Sequence, residues 1–384
     1  MRNANYVMEK TMKISNPFIL SGYISKEFFC DREKETTKII EAIQNNRNIT
    51  LFSQRRIGKT SLIYHIFNSL KIDKNNACIY LDVLASTSLS EFINVFGNSV
   101  INAIESKPEK FFKKVKDLFS NLRPVISIDS LTGSPSFQLT IDSKQEAEKS
   151  IEGIFNYLKS QKKKIVIAID EFQQVAQYPE KNVEALLRTN IQKLTNTVFL
   201  FSGSKKHLLL SIFEDKNRPF YKSTQLIELD KIEKQVYSDF IINHFSKSDK
   251  KINKQHCDQI LEWTNFQTFY VQYICNRIFG KNIKQISESM INETFIEILK
   301  EQEITFINYR NLLTDYQWKI IRAIAAEGHV KSVLSKNFIS KHKLNTPSSV
   351  KTAVDSLIVK EILVNDITGF YVQDILFQRW LERN

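Results

Sequence analysis

Glycine and proline are scarce, at nine and seven residues of 384. So little of either excludes collagen-like repeats and long flexible linkers. Cysteine is equally sparse. Cys30, Cys78, Cys257 and Cys275 form no C-x-x-C pair and have no histidine cluster beside them. Neither a zinc site nor a disulfide framework is expected, and the thiols read as core or incidental residues in a reducing compartment. No apolar run approaches the ~20 residues that span a bilayer. The opening MRNANYVMEKTMK lacks the apolar stretch of a signal peptide. The expectation is a soluble, cytoplasmic protein without a membrane partner.

What is present fits a globular chain long enough for two or three domains, 42% hydrophobic and 25% charged. The formal net charge is +12. Such a balance favours anionic partners, namely nucleotides, nucleic acid or acidic surfaces. A lysine-rich composition with solvated faces accounts for it equally well, and Lys162 to Lys164 read as a solvated strand entry.

Hydrophobic periodicity divides the chain into three. Up to residue 230, apolar strands alternate with helices. FFCDREKETTKIIEAIQNN (28–46) has helical spacing with Asp31 as N-cap. Short strands follow at RNITLFSQ, ACIYLDVL (77–84), KIVIAIDEF and TVFLFSGS, and STQLIELDKI reads as an edge strand. Helices lie between them, one capped by Ser88 or Ser90. PVISID and SFQLTID flank SLTGSP as an inserted hairpin. Continuous apolar strands separated by helices imply an α/β domain with a parallel sheet covered on both faces. From 231 to 303 only helical patterns occur. From 304 to 384 three helices, one with Thr346 at the N-cap and Pro347 at the first helical position, precede two strands around Thr368-Gly369 and a closing helix. That is the order of a winged helix-turn-helix.

LFSQRRIGKTSL (51–62) carries the chemistry. A phosphate cradle needs inward backbone N–H groups, a helix N-terminus, a lysine and a hydroxyl for Mg²⁺. The pattern G-x-x-x-x-G-K-[ST] supplies them between a strand and a helix. Here it spans Ser53, Gln54, Arg55, Arg56, Ile57, Gly58, Lys59 and Thr60, with Ser61 next and Ser53 in place of the first glycine. Gly58 lets the backbone approach phosphate, Lys59 reaches the β- and γ-phosphates, and Thr60 ligates Mg²⁺. KIVIAIDEF ends in Asp170-Glu171, where the aspartate can hold the Mg²⁺ shell and the glutamate can polarise attacking water. TVFLFSGS delivers Ser202, Gly203 and Ser204 to the same sheet edge, placed either to sense the γ-phosphate or to form a capping turn.

At these residues the chain resembles the AAA+-related P-loop ATPases of the archaeal-type/STAND group, which have a helical lid and a C-terminal winged helix. The resemblance covers nearly the whole chain. NPFILSGYISKEFFCDREKE looks like the group's lead-in, with Cys30 where glycine is usual. SQRRIGKTSLI is similar to its Walker A, IAIDEFQ to its Walker B and FLFSGS to its sensor strand. RPFYKSTQLIEL and GFYVQDILFQRWL also match, the latter with Ile375 for proline. The resemblance implies ATP and Mg²⁺ as ligands. It implies that Asp31, Arg32 and Glu33 lie near the adenine under the lid. Arg218 falls where a trans-acting arginine finger or a structural salt bridge is expected. Phe269 replaces the lid proline that packs on the base, and Phe269 or Tyr270 would stack instead. Arg55 and Arg56 either contact a neighbouring subunit or stay solvated.

Lys336, Lys341, Lys343 and Lys351 lie on or near the second and third helices of the winged-helix segment, suited to phosphates. The third helix has few side chains for reading base edges, so non-specific DNA binding and protein binding both fit. Phe18, Phe28, Phe29 and the FFKKVKDLF aromatics read as core and lid packing. Three functions follow: an ATP-hydrolysing switch controlling self-association or partner binding, a DNA-binding ATPase of the origin-recognition or transposition-adaptor kind, and an ATP-bound scaffold that does not turn over.

Overall fold

The computed structural model describes residues 15–383 apart from 74, 106, 123, 129–132 and 367. The chain divides into two compact units, residues 19–233 and residues 15–18 with 234–383.

In the first unit the elements are, in chain order, α1 (Glu33–Gln44), β1 (Ile49–Phe52), α2 (Lys59–Leu70), β2 (Asn76–Asp82), α3 (Leu89–Ile104), α4 (Pro108–Phe119), β3 (Val125–Ile128), β4 (Pro135–Gln138), α5 (Lys144–Lys159), β5 (Lys164–Asp170), α6 (Val183–Ile191), β6 (Thr197–Gly203), α7 (Lys206–Glu214) and β7 (Gln225–Glu228). Five strands form one sheet in the order β2-β5-β6-β1-β7, every neighbouring pair parallel. The side-chain period of two explains why these strands read as continuous apolar runs. Along β5, Ile165, Ile167 and Ile169 join one core cluster with α3, α5, α6 and α7. Val166 and Ala168 join the opposite cluster with α1 and α2. The register aligns Asp82 with Asp170 and Phe52 with Gly203. The C-terminal ends of β1, β2, β5 and β6 therefore meet at one edge, where open parallel sheets bind ligands.

One local expectation changes. Asp31 does not cap α1. Arg32 is the N-cap residue, at φ 77°, and no side chain caps the helix. Asp31 is also left-handed, at φ 58°. This double turn carries the Arg32 guanidinium inward, where it donates to the carbonyls of Asp230 at 2.7 Å and Ile57 at 3.4 Å. Burying a guanidinium requires such acceptors. Helix α4, which the sequence reading did not separate out, begins with Pro108 and buries Phe111, Val115 and Phe119 on one face. The aromatics there are core, as expected.

Ser88 is the cap of α3, accepting from the Glu91 N–H. β3 and β4 form the expected antiparallel hairpin, and its turn at 129–132 lies outside the described residues. Asn94, Asn98 and Asn102 of α3 bind the backbone of Leu139, Phe137 and Pro135. Their four-residue spacing lets one helix face act as a substitute ladder for β4.

The second unit contains α8 (Lys234–Ser246), α9 (Lys254–Trp263), α10 (Thr268–Gly280), α11 (Glu288–Glu301), α12 (Glu303–Asn311), α13 (Asp315–Glu327), α14 (Lys336–Lys341), α15 (Pro347–Val359), β8 (Leu363–Asp366), β9 (Gly369–Val372) and α16 (Ile375–Arg383). Thr346 caps α15 through the Ser349 N–H, with Pro347 at its start. Val330 bridges Phe370, adding a third short partner to the β8–β9 hairpin. Three helices and a wing are thus in place. Phe18 is buried against Phe245 and Phe279. Arg379 donates to the Trp263 carbonyl at 2.9 Å, and Tyr270 to Asp374 at 2.8 Å. These bonds tie the winged helix to α9 and α10.

Candidate active site

The loop between β1 and α2 starts with Ser53, which is 1% exposed. A glycine is required only where φ is positive or space is absent. The positive-φ residues of this loop are Arg56, at 66°, and Gly58, at 103°. Ser53 is not among them, so its Cβ costs no backbone strain. Its hydroxyl donates to the Gln54 carbonyl at 2.7 Å and accepts from the Lys59 ammonium at 3.3 Å. The residue that breaks the consensus thus holds the loop lysine. Gly58 is the N-cap residue of α2, and Lys59 and Thr60 open the helix. Arg55 and Arg56 are exposed within the loop, and the Ser61 hydroxyl donates to the Gly22 carbonyl in the lead-in.

Lys59 is buried, and desolvation holds its ammonium below the usual lysine range despite the attraction of Asp170 and Glu171. A buried cation of this kind is suited to an incoming anion.

Asp170 ends β5 and is 5% exposed. Its Oδ1 accepts from Ser202 Oγ at 2.6 Å and from the Glu171 N–H at 3.1 Å. Its Oδ2 accepts from Thr60 Oγ1 at 3.1 Å and Tyr80 Oη at 3.0 Å. Residues 110 positions apart in sequence, Thr60 and Asp170, are in direct contact. Burial raises the Tyr80 phenol well above its ordinary value, with the Asp170 charge adding to it. Asp82 beside it is raised by desolvation, partly offset by the Leu84 N–H it accepts.

Glu171 follows at φ 55°. This left-handed turn swings its carboxylate away from the strand, an unusual conformation for a non-glycine residue. Phe172 anchors the turn in an aromatic cluster with Phe201, Phe213 and Phe220. Glu171 Oε2 accepts from Gln173 Nε2, and from the N–H and Oγ of Ser204 at 3.2 and 3.0 Å.

Lys59, Thr60, Ser53, Asp170, Glu171, Ser202 and Ser204 are thereby gathered at one sheet edge. Arg218 is bound elsewhere. Its guanidinium pairs with Glu184 and donates to Ser211 Oγ at 2.8 Å. Arg32 serves as the internal strut described above. Tyr270 is buried and bound to Asp374, so the stacking role offered to it is withdrawn. Phe269 is 38% exposed, its ring parallel to Tyr273.

Two site residues went unrecognised in sequence. Tyr80 and Gln173 contact Asp170 and Glu171. A signal existed in each case: a phenol interrupting the apolar run of β2, and a glutamine that is 1% exposed following the acidic pair.

Thr60 Oγ1 and Asp170 Oδ2 form a hard-oxygen pair suited to Mg²⁺, which takes one or two protein oxygens and completes its shell with phosphate and water. Among the described residues no cluster of three or more His, Cys, Asp or Glu side chains could hold a metal alone. No described helix is long and apolar enough to cross a membrane.

Residues 29–274 match the model of an ATPase domain predominantly from Archaea, and residues 304–383 match a probable winged helix domain. A search of curated proteins found no match. Among solved structures, the Walker-type ATPase paby2304 of Pyrococcus abyssi superposes with a TM-score of 0.63 at 18% identity, covering 95% of this chain and 99% of that one. The Aeropyrum pernix ORC2 protein, in ADPNP-ADP complexes, gives 0.59 at 13% identity, covering 96% and 95%. The Aeropyrum pernix ORC1 protein, in complex with DNA, gives 0.51 at 10% identity, covering 93% of each chain. At these identities the likeness shows the fold.

Proposed function

The chain belongs to the family of ATPase domains predominantly from Archaea, and from that premise we propose that it is an Mg²⁺-dependent ATP hydrolase working as a nucleotide-driven switch. The observation that supports this best is the Thr60–Asp170 contact beside buried Lys59, with Glu171 next in sequence. In this reading the loop N–H groups and Lys59 bind the β- and γ-phosphates. Thr60 and Asp170 hold Mg²⁺, which neutralises phosphate charge when bound. Glu171 orients water for in-line attack and accepts its proton, Ser202 fixes Asp170, and electrostatic positioning supplies most of the acceleration.

The switch needs a second state with different nucleotide affinity. We assign residues 1–230 to the ATPase core, 231–303 to a lid and 304–384 to the winged-helix domain, with ATP favouring closure and self-association. Asp31 and Arg32 remain candidates for the adenine end. Arg218 is a candidate finger toward a second copy if it leaves Glu184. Lys59→Ala tests the loop. It should abolish ATP binding, and retained affinity contradicts the assignment. Mass measured with ADP and with a slowly hydrolysed ATP analogue tests the switch, where an unchanged mass argues against ATP-driven assembly.

A second reading, DNA binding through the winged helix, is favoured by exposed Lys331, Lys336, Lys343 and Lys351 around α14 and α15. The ORC1 likeness supplies the analogy. Exposed Asp355 on α15 weakens it as a base-reading surface.

A further inference from the structure

Glu171 is gripped by one side. Every contact described for its carboxylate falls on Oε2, from Gln173 Nε2 and from both donors of Ser204. Ser204 Oγ in turn accepts from Arg55 Nε, at 3.3 Å, in the phosphate loop. A continuous chain of hydrogen bonds therefore runs from the loop through Ser204 to the carboxylate and on to Gln173.

The Gln173 amide has no freedom in this arrangement. It is 1% exposed, and its Nε2 must face the carboxylate because the amide oxygen cannot donate. Its Oε1 then has no hydrogen-bond partner among the described residues. A Cβ at position 203 would meet that oxygen at 2.0 Å. Gly203 thus leaves the space that the Gln173 amide fills. An unsatisfied buried acceptor is destabilising, a cost of the kind retained at functional sites.

We propose that Gln173 and Ser204 are positioning residues that fix Glu171 by Oε2, and that Arg55 couples this anchor to the phosphate loop. With one oxygen held by three donors, the carboxylate cannot rotate, and Oε1 is the oxygen presented to water. Arg55 sits where movement of the loop around a terminal phosphate reaches Ser204 directly. The proposal rests on the assignment of Glu171 to hydrolysis. It adds that the acid is active only while clamped and that loop occupancy controls the clamp.

The experiment compares full-length Ser204→Ala, Ser204→Thr, Gln173→Ala and Arg55→Ala with the wild type, with Glu171→Gln as reference. Steady-state turnover, ADP affinity, and affinity for ADP with aluminium fluoride and Mg²⁺ are measured. The fluoride complex mimics the transferring phosphoryl group. Expected are about 10-fold to 100-fold losses of kcat for Ser204→Ala and Gln173→Ala, and weaker fluoride-complex binding. ADP affinity should stay within about twofold in the Ser204 and Gln173 variants, and Ser204→Thr should restore most of the rate. Arg55→Ala combined with Ser204→Ala should be no worse than the more damaging single change, as for residues acting as one unit. Unchanged turnover in Ser204→Ala and Gln173→Ala overturns the proposal. Increased turnover overturns it too, because the contacts would then be a brake. If Glu171→Gln turns over like wild type, the hydrolysis assignment itself is what fails. Unfolded variants are recognised by lost ADP affinity, and Ser204→Thr against Ser204→Ala then decides.

Discussion

Ser202 on β6 donates its hydroxyl hydrogen to Oδ1 of Asp170 on β5 at 2.6 Å, with Ser202 fully buried. The pair ties two strands at the edge where the phosphate loop begins. Each carboxylate oxygen has two donors, the Glu171 N–H at 3.1 Å being the second on Oδ1 and Thr60 and Tyr80 the pair on Oδ2, and the Ser202 bond is the shortest and most buried of the four. Removing Ser202's hydroxyl should therefore cost more than removing Tyr80's. Ser202→Ala is expected to lower stability by about 1–3 kcal/mol and Tyr80→Phe by about 1 kcal/mol. Urea unfolding midpoints check the order, and a larger loss for Tyr80→Phe contradicts it.

Lys59 gives a pH prediction. Desolvation holds its ammonium below the ordinary lysine value. A triphosphate adds negative charge beside it and raises the value again. Between the two values binding takes up a proton, so affinity falls as pH rises through the alkaline range. Calorimetry of nucleotide binding in two buffers of different ionisation enthalpy reads that uptake. Buffer-independent heats at alkaline pH contradict it.

Gly203→Ala places a methyl group against Gln173 Oε1. The backbone around β6 is packed on both faces, so the glutamine must move. The expected outcome is about 1–3 kcal/mol of destabilisation, with lower turnover and little change in ADP affinity. Thermal unfolding and a turnover assay check both parts.

The winged helix is best tested by charge, since Tyr270 and Trp263 bond to its closing segment. If it binds duplex DNA non-specifically, Lys336→Glu and Lys351→Glu should each weaken binding uniformly across sequences. Each should also reduce the salt slope by about 1. Fluorescence anisotropy across a salt series reads this. Lys341 is already paired with Glu327 and should matter less.

Much of this architecture was legible because the relevant signals are local. Apolar runs on β5 and β6 announce strands buried on two faces, and Thr346-Pro347 announces a helix start. The strand, loop and helix order over residues 49–70 was readable for the same reason. What escaped depends on contacts distant in sequence. Asp31 has the composition of a cap, but the buried Arg32 guanidinium, seeking the carbonyls of Ile57 and Asp230, sets the backbone there. Helix α4 was obscured because its Lys-rich face masks a three-residue apolar stripe. Tyr80 and Gln173 looked like ordinary strand and turn residues until the sheet register brought them to Asp170 and Glu171.

Phosphate release from ATP by Glu171→Gln beside the wild type, at saturating ATP and Mg²⁺, tests the central claim most directly. The account predicts a loss of about 10²-fold to 10⁴-fold in turnover, with ATP still bound. Equal rates would contradict it, as would a wild type that binds ATP without releasing phosphate.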